Sequence, residues 1–207
     1  MTFRSFTALA GMALMTWACN SGPEALPVLG QHDIDPDTGD TISIHQIPDF
    51  SFVNQDSQTV NNDSYDGKAY VADFFFVSCP TICPKVAQQM LRLYKKYEDN
   101  DQLFLLSHTI DPKHDTVPRL KKYAEGLGVT APKWDFVTGD KKAIYDIATD
   151  YMSIASEDPD APGGFNHSGY LILVDKNRHI RSFCNGTQPE DVDRFMKDID
   201  WLLAHGG

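Results

Sequence analysis

The stretch that most constrains the fold is Val71-Ala-Asp-Phe-Phe-Phe-Val-Ser-Cys79-Pro-Thr-Ile-Cys83-Pro84. Its first half, extended back to Tyr70, is β-branched and aromatic with a single acid, as a buried strand is. Its second half runs into Pro84-Lys-Val-Ala-Gln-Gln-Met-Leu-Arg-Leu-Tyr-Lys-Lys-Tyr97, where apolar residues recur at helical spacing. A strand that becomes a helix at a cysteine pair delivers two thiols to a helix N-terminus, where unpaired N–H groups and the dipole favour thiolate over thiol. If both cysteines lie on the first turn they are i and i+4 neighbours, with Cβ atoms roughly 5 to 6 Å apart. That geometry serves two ligands of one metal ion, and it also serves an attacking thiolate with its resolving partner. Disulfide-exchange pairs more often carry two intervening residues than the three found here.

The segments on either side say what holds this stretch. Thr41 to Ile47 alternates weakly, Phe50 to Val60 suggests a hairpin around Asn54 to Ser57, and Asp66-Gly67 turns into the main strand, Lys68 to Val77. After the first helix come a buried strand at Gln102 to His108, a helix from Thr116 to Leu127 ending at Gly126 or Gly128, a short strand at Trp134 to Val137, and a helix from Asp140 to Met152. Strand and helix alternating at these lengths indicate parallel βαβ units. Ser153 to Asn166 is acidic and rich in Pro and Gly, and reads either as a mobile arm or as a long surface connection. Strands at Ser168 to Val174 and Arg178 to Cys184 follow, joined at Asp175-Lys-Asn, and Thr187-Gln-Pro-Glu190 reads as a capping box opening the last helix. A βαβ half followed by ββα is a thioredoxin-like α/β fold, a central mixed sheet with helices on both faces.

The N-terminus narrows the compartment. Arg4 and the apolar run Phe6 to Ala18 have the charged and hydrophobic regions of an export signal, and the run falls short of the roughly 20 apolar residues that span a bilayer. Cys19 follows a small residue at the end of that run, as in a bacterial lipoprotein signal. Thr16-Trp17-Ala18 is an imperfect match to such a signal, and an ordinary cleaved signal or an uncleaved anchor is the alternative. The expected organisation is a signal peptide over residues 1–18, a Gly- and Pro-rich tether over 19–40, and one globular domain over 41–207, facing the periplasm from a lipid anchor on Cys19. Arg4 is the one charged residue before Cys19, so the mature chain has 17 basic and 29 acidic residues where the full chain has 18 and 29, and its net charge is −12 against −11. Such acidity excludes nucleic acid and a polybasic membrane-surface role. Cys79, Cys83 and Cys184 are an odd set of thiols for an oxidising compartment, so at least one is left over.

Two thiolates select Cu(I) or Zn(II), and an imidazole as third ligand suits copper in either oxidation state. Among the seven histidines, His167 immediately precedes a strand at the end of the Gly-rich loop Gly163-Gly-Phe-Asn-His167. Functional groups collect beyond the carboxyl ends of parallel strands, where Cys79 lies. The strand that begins after His167 runs antiparallel to the Cys-bearing strand in a thioredoxin-type order, which brings His167 to the same sheet edge. A surface or hydrogen-bonded histidine is the competing reading at this point.

Four motifs in order, Asp73 to Pro84, Thr109-Ile-Asp111-Pro-Lys-His-Asp115-Thr, Trp134-Asp-Phe-Val-Thr-Gly and Asn166-His167-Ser-Gly-Tyr-Leu-Ile-Leu-Val-Asp175, resemble the Sco/SenC family of copper-binding, thioredoxin-like proteins. The resemblance runs from about Ile47 to Leu203. It implies copper, as Cu(I) or Cu(II), bound by Cys79, Cys83 and His167. It also implies a part in maturing the copper site of cytochrome c oxidase, by delivering copper or by reducing the site's cysteines. The expected partners are the copper-site subunit of the oxidase and a copper donor protein. Asp111 and Asp115 correspond to the family's Asp-x-x-x-Asp motif, and Asp115 or Thr116 is alternatively a helix cap. Cys184 stands where the family usually has an aromatic residue, and reads as a small buried apolar residue or as a resolving thiol. Phe74 to Phe76 read as core, Asp73 as a buried acid or an edge residue, and the Tyr94-Lys-Lys-Tyr97 cluster as an exposed helix face. Beside the copper metallochaperone stands an enzymatic alternative, a thiol-disulfide oxidoreductase using Cys79 and Cys83. A structural zinc site is disfavoured, because it normally takes four protein ligands.

Overall fold

A computed structural model describes residues 25–206, so the signal peptide and Cys19 lie outside the described residues. A two-stranded exposed ribbon of β1 (Asp33–Ile34) and β2 (Thr41–Ser43) precedes the main body. The main sheet is built from β3 (Ser51–Asn54), β4 (Thr59–Asn61), β5 (Ala69–Phe75), β6 (Leu103–Thr109), β7 (Trp134–Thr138), β10 (Tyr170–Val174) and β11 (Ile180–Asn185). Between β7 and β10, β8 (Ala155–Glu157) pairs with β9 (Phe165–His167) outside it. The helices are α1 (Cys83–Lys96), α2 (Val117–Leu127), α3 (Lys141–Asp150) and α4 (Pro189–His205).

The order across the main sheet is β11-β10-β5-β6-β7-β3-β4, with β5, β6 and β7 parallel and the remaining pairings antiparallel. β5 and β6 are buried along their whole length, as central strands covered on both faces are. On one face Phe75 stacks on Tyr123 of α2, Tyr94 of α1 lies beside Trp134, and the Tyr97 hydroxyl donates to the Met196 carbonyl of α4. On the other, Phe74 packs against Tyr151, just past α3. This is the expected mixed sheet with helices on both faces, and Phe74, Phe75 and Phe76 are core.

Several local features depart from the sequence-based reading. Tyr94 and Tyr97 are buried and only Lys95 and Lys96 between them face water, because α1 is clamped between the sheet and α4. The capping box at α4 does not form: Gln188 occupies the cap position, and the Thr187 hydroxyl donates instead to Asn185 Oδ1 at 2.7 Å. Pro189 at the first helical position supplies a φ already suited to the helix and leaves one fewer unpaired N–H at its start. Within the expected tether, Leu26 is buried and Leu29 bridges Ile180 on the edge strand β11, while Arg181 donates to the Leu26 and Pro27 carbonyls.

Two buried polar groups stand out in the core. Asp73 accepts a hydrogen bond from the Ser107 hydroxyl, whose oxygen accepts from Trp134 Nε1 at 2.8 Å. Burial pushes the Asp73 carboxyl up to about 7, with the Ser107 bond opposing. His108 is fully enclosed by Phe50, Phe52, Phe74 and Tyr151, and neither ring nitrogen finds a partner. Burial pushes this imidazole down to about 3.

Candidate metal centre

The peptide leaves β5 at Phe75 and turns sharply, with the Cys79 N–H donating to the Phe76 carbonyl at 3.2 Å. Helix α1 starts only at Cys83, with Ile82 at the cap position and no side chain capping it. Cys79 therefore lies on the loop ahead of the helix and not on its first turn. Pro80 and Pro84 account for this, since a residue before proline is pushed out of the helical region and proline itself is favoured at helix starts. The result differs from an i, i+4 pair in its electrostatics: the Cys79 sulfur faces the open end of α1 while Cys83 is part of it.

That difference separates the two thiols. Burial raises Cys79, but the Cys83 thiol, the backbone N–H groups of Thr81 and Cys83 and the Thr81 hydroxyl all favour its thiolate, and Cys79 ends below its usual value. Burial raises Cys83 strongly, and the hydrogen bond it gives to Cys79 raises it further. All three cysteines among the described residues are free thiols.

The third donor arrives from the far side of the chain. β10 lies antiparallel to β5, with Ile172 opposite Ala72, so the start of β10 meets the end of β5. The stretch read as an arm or surface connection is a hairpin, in which Ala155 faces His167 and Glu157 faces Phe165. Gly163, at the hairpin's tip, has φ of +79°, and a Cβ there would stand 2.8 Å from the Phe76 ring. Only glycine lets the tip close over Phe76 without strain. Phe76 in turn packs on Phe165 and edge-on to His167, with centroids 5.0 and 5.6 Å apart.

His167 Nε2 lies 3.3 Å from Cys83 Sγ and 3.7 Å from Cys79 Sγ, and the three donor atoms all stand within 4.8 Å of one another. Donors bound to one ion at about 2.2 Å in a trigonal plane stand about 3.8 Å apart, so this set fits an ion with little movement. Burial lowers the His167 imidazole, keeping it neutral and able to ligate. The backbone groups of Ser168 and Phe74 oppose that shift without completing an aligned hydrogen bond to Nδ1, which is buried and unpartnered.

Asp111 and Asp115 are not among the converging donors. Asp115 is fully buried, and its Oδ2 accepts from the Val77 N–H at 3.0 Å and the Thr109 hydroxyl at 2.6 Å, while Arg119 Nε lies 3.4 Å from Oδ1. It thus ties the start of the cysteine loop to the turn after β6, where Thr116 is the cap residue of α2 and makes no side-chain cap bond. The Asp111 carboxylate pairs with His114 Nδ1 at 2.8 Å. Cys184 is buried on the face of β11 that also carries Ile180 and Ser182, opposite Leu171, and outside the donor group. Burial raises its thiol to about 12, that of an inert core residue. Phe76, Thr109 and Gly163 also hold the site. In the sequence Phe76 reads as core, Thr109 opens the motif that carries Asp111 and Asp115, and Gly163 belongs to the Gly-rich loop, but no local signal gives any of them a part in the site.

The sequence profile of the family described as SCO1/SenC matches residues 40–204. A Bacillus subtilis protein named "SCO1 protein homolog" is 29% identical over 157 residues, 75% of this chain and 81% of its own. The structure of a SCO1/SenC family lipoprotein from Bacillus anthracis is 25% identical, with a TM-score of 0.69 covering 76% of this chain and 95% of that one. A structure described as BsSco, "a member of the Sco family of cytochrome c oxidase assembly proteins" with a disulfide switch, is 29% identical, with a TM-score of 0.66 over 75% of this chain and 92% of that one. The fold is accordingly the thioredoxin-like one.

Proposed function

The chain belongs to the SCO1/SenC family, and on that premise we propose that it is a copper carrier of the bacterial cell envelope that assists assembly of the copper site of cytochrome c oxidase. The observation that carries this reading is the convergence of Cys79, Cys83 and His167 within 4.8 Å. Two thiolates and an imidazole are a soft donor set suited to Cu(I) and tolerant of Cu(II), and a fourth protein ligand for structural zinc is missing from the group. The cargo is held by Cys79, Cys83 and His167, and its uptake releases the two thiol protons. The low-lying Cys79 gives up its proton readily, whereas Cys83 deprotonates only against the charge of the ion. Asp115 keeps the loop carrying Cys79 in place, and Gly163 lets the hairpin hold His167 over it.

The assembly role draws on the relative described as a Sco-family oxidase assembly protein. Lipidation of Cys19, and with it a domain facing the periplasm, draws on the match to a SCO1/SenC family lipoprotein. The partners are then the copper-site subunit of the oxidase and a copper donor. The test is an anaerobic Cu(I) and Cu(II) titration of the reduced mature chain beside Cys79→Ser, Cys83→Ser and His167→Ala. One equivalent of copper is expected, lost in both serine variants and weakened by His167→Ala at least as much as the about 10- to 100-fold that loss of a ligand's outer partner costs. Absence of stoichiometric binding, or an unchanged affinity in His167→Ala, refutes it.

The lowered Cys79 thiol beside a second thiol favours a further reading, a thiol-disulfide oxidoreductase acting on cysteines of the oxidase subunit or of other envelope proteins. There Cys79 attacks, Cys83 resolves, and His167 is dispensable. A rate of protein-disulfide reduction no faster than that of a small dithiol counts against it.

A further inference from the structure

The two sulfurs are nearly enclosed, 7% and 5% exposed by residue, and the space they border is much larger than an ion requires. Between α1 and α2 runs a hollow of about 280 Å³ lined by Phe76, Cys79, Cys83, Leu91, Tyr123 and Leu127. It continues, through Val77, Tyr123 and Leu127, into an open trough of about 540 Å³ whose outer wall carries Arg119 and Lys122. Pockets of roughly 300 to 1,000 Å³ bury ligands of drug size. No carboxylate lines either part, in a chain with 29 acidic and 18 basic residues.

We propose that this groove is the docking site for the copper-exchange partner, and that its occupant is an extended segment of that protein in which apolar residues flank the sulfur-bearing ligand and carboxylates follow toward α2. The proposal rests on the copper-carrier reading and names which surface that reading uses. Apolar walls beside the sulfurs desolvate the exchanging thiols, and the cations at the far end fix the segment's direction. The charge argument is local: the net charge of −11 repels an acidic segment over long range, so preference for one has to come chiefly from Lys122, with Arg119, whose Nε lies 3.4 Å from Asp115, contributing less.

The test uses the reduced, copper-free chain and two peptides, Asp-Asp-Phe-Cys-Leu-Asp and Lys-Lys-Phe-Cys-Leu-Lys, each activated as the 2-thiopyridyl disulfide. The Cys79 thiolate attacks the peptide sulfur, the bond to the pyridyl sulfur breaks, and pyridine-2-thione leaves, taking a proton from solvent. Cys83 then displaces the peptide thiol and closes the Cys79–Cys83 disulfide. Release of the thione gives the first rate. At about 0.15 M salt, where the net charge of the chain is screened and only charges close to the peptide act on it, the acidic peptide is expected to react about tenfold faster than the basic one, and Lys122→Glu to lower that ratio about fivefold. Lys142→Glu, on α3 across the sheet, is expected to leave the ratio unchanged. Equal or reversed rates in the parent chain, or an effect of Lys122→Glu no larger than that of Lys142→Glu, overturns the proposal. So does a dimer in sedimentation equilibrium that Lys122→Glu dissociates, which assigns the groove to a second copy. No copper enters this measurement, so its failure is distinct from failure of the copper titration.

Discussion

His108 and Asp73 are both fully buried, and they make stability depend on pH in opposite directions. His108 titrates near 3 when folded and near 6.5 when unfolded, so between those values the unfolded chain binds the extra proton and stability rises with pH. Asp73 titrates near 7 when folded and near 3.8 when unfolded, so over nearly the same window the folded chain holds the extra proton and stability falls with pH. Each contributes roughly 1.4 kcal/mol per pH unit within its window, or about 2 kcal/mol between about pH 4.5 and 6.5. In the parent chain the two nearly cancel. Replacing either one unmasks the other. His108→Leu is therefore expected to lose stability relative to the parent as pH rises from about 4.5 to 6.5, and Asp73→Asn to gain it, each by about 2 kcal/mol. His108→Leu also removes two unpartnered ring nitrogens from an aromatic enclosure, and raises stability at the acid end. Urea unfolding of the reduced, copper-free chain at several pH values measures both. A stability difference from the parent that stays flat with pH in either variant refutes the assignment for that residue.

Asp115→Asn keeps the shape but not the charge opposite Arg119, and weakens the bonds from Val77 and Thr109; a loss of about 2 to 4 kcal/mol in denaturant unfolding is expected, against none for a surface Asp such as Asp160→Asn. Gly163→Ala sets a Cβ against the Phe76 ring at positive φ, and is expected to cost about 1 to 3 kcal/mol and to weaken copper binding with all three ligands intact, read from the same unfolding and titration curves.

The elements that carry the site were legible because each is set by its own local pattern. The apolar run before Cys79 specifies a buried strand, and the antiparallel return of β10 follows from βαβ then ββα order, which is why His167 was reachable from topology. What stayed hidden depends on contacts between distant segments. The β8–β9 hairpin is short, polar and interrupted by Pro162-Gly163-Gly164, so nothing local distinguishes it from a loop; it exists because Gly163 closes on Phe76. Cys79 sits ahead of α1 rather than on it, because the two prolines fix where the helix begins. Asp115 looks like a helix cap by position, and only the approach of Val77 turns it into a brace for the cysteine loop. Tyr94 and Tyr97 look exposed beside two lysines until α4 covers them.

His167 is separated from its two sulfur neighbours by 88 and 84 residues, and they meet only when β10 has docked beside β5. Closing so long a loop is slow and comes late in folding. A chain stalled before β10 pairs with β5 offers the thiols alone. The complete donor set thus reports that the β5–β10 pairing is made: an ion that prefers three ligands selects chains in which β10 has already docked beside β5, and by binding them draws the equilibrium away from those in which it has not.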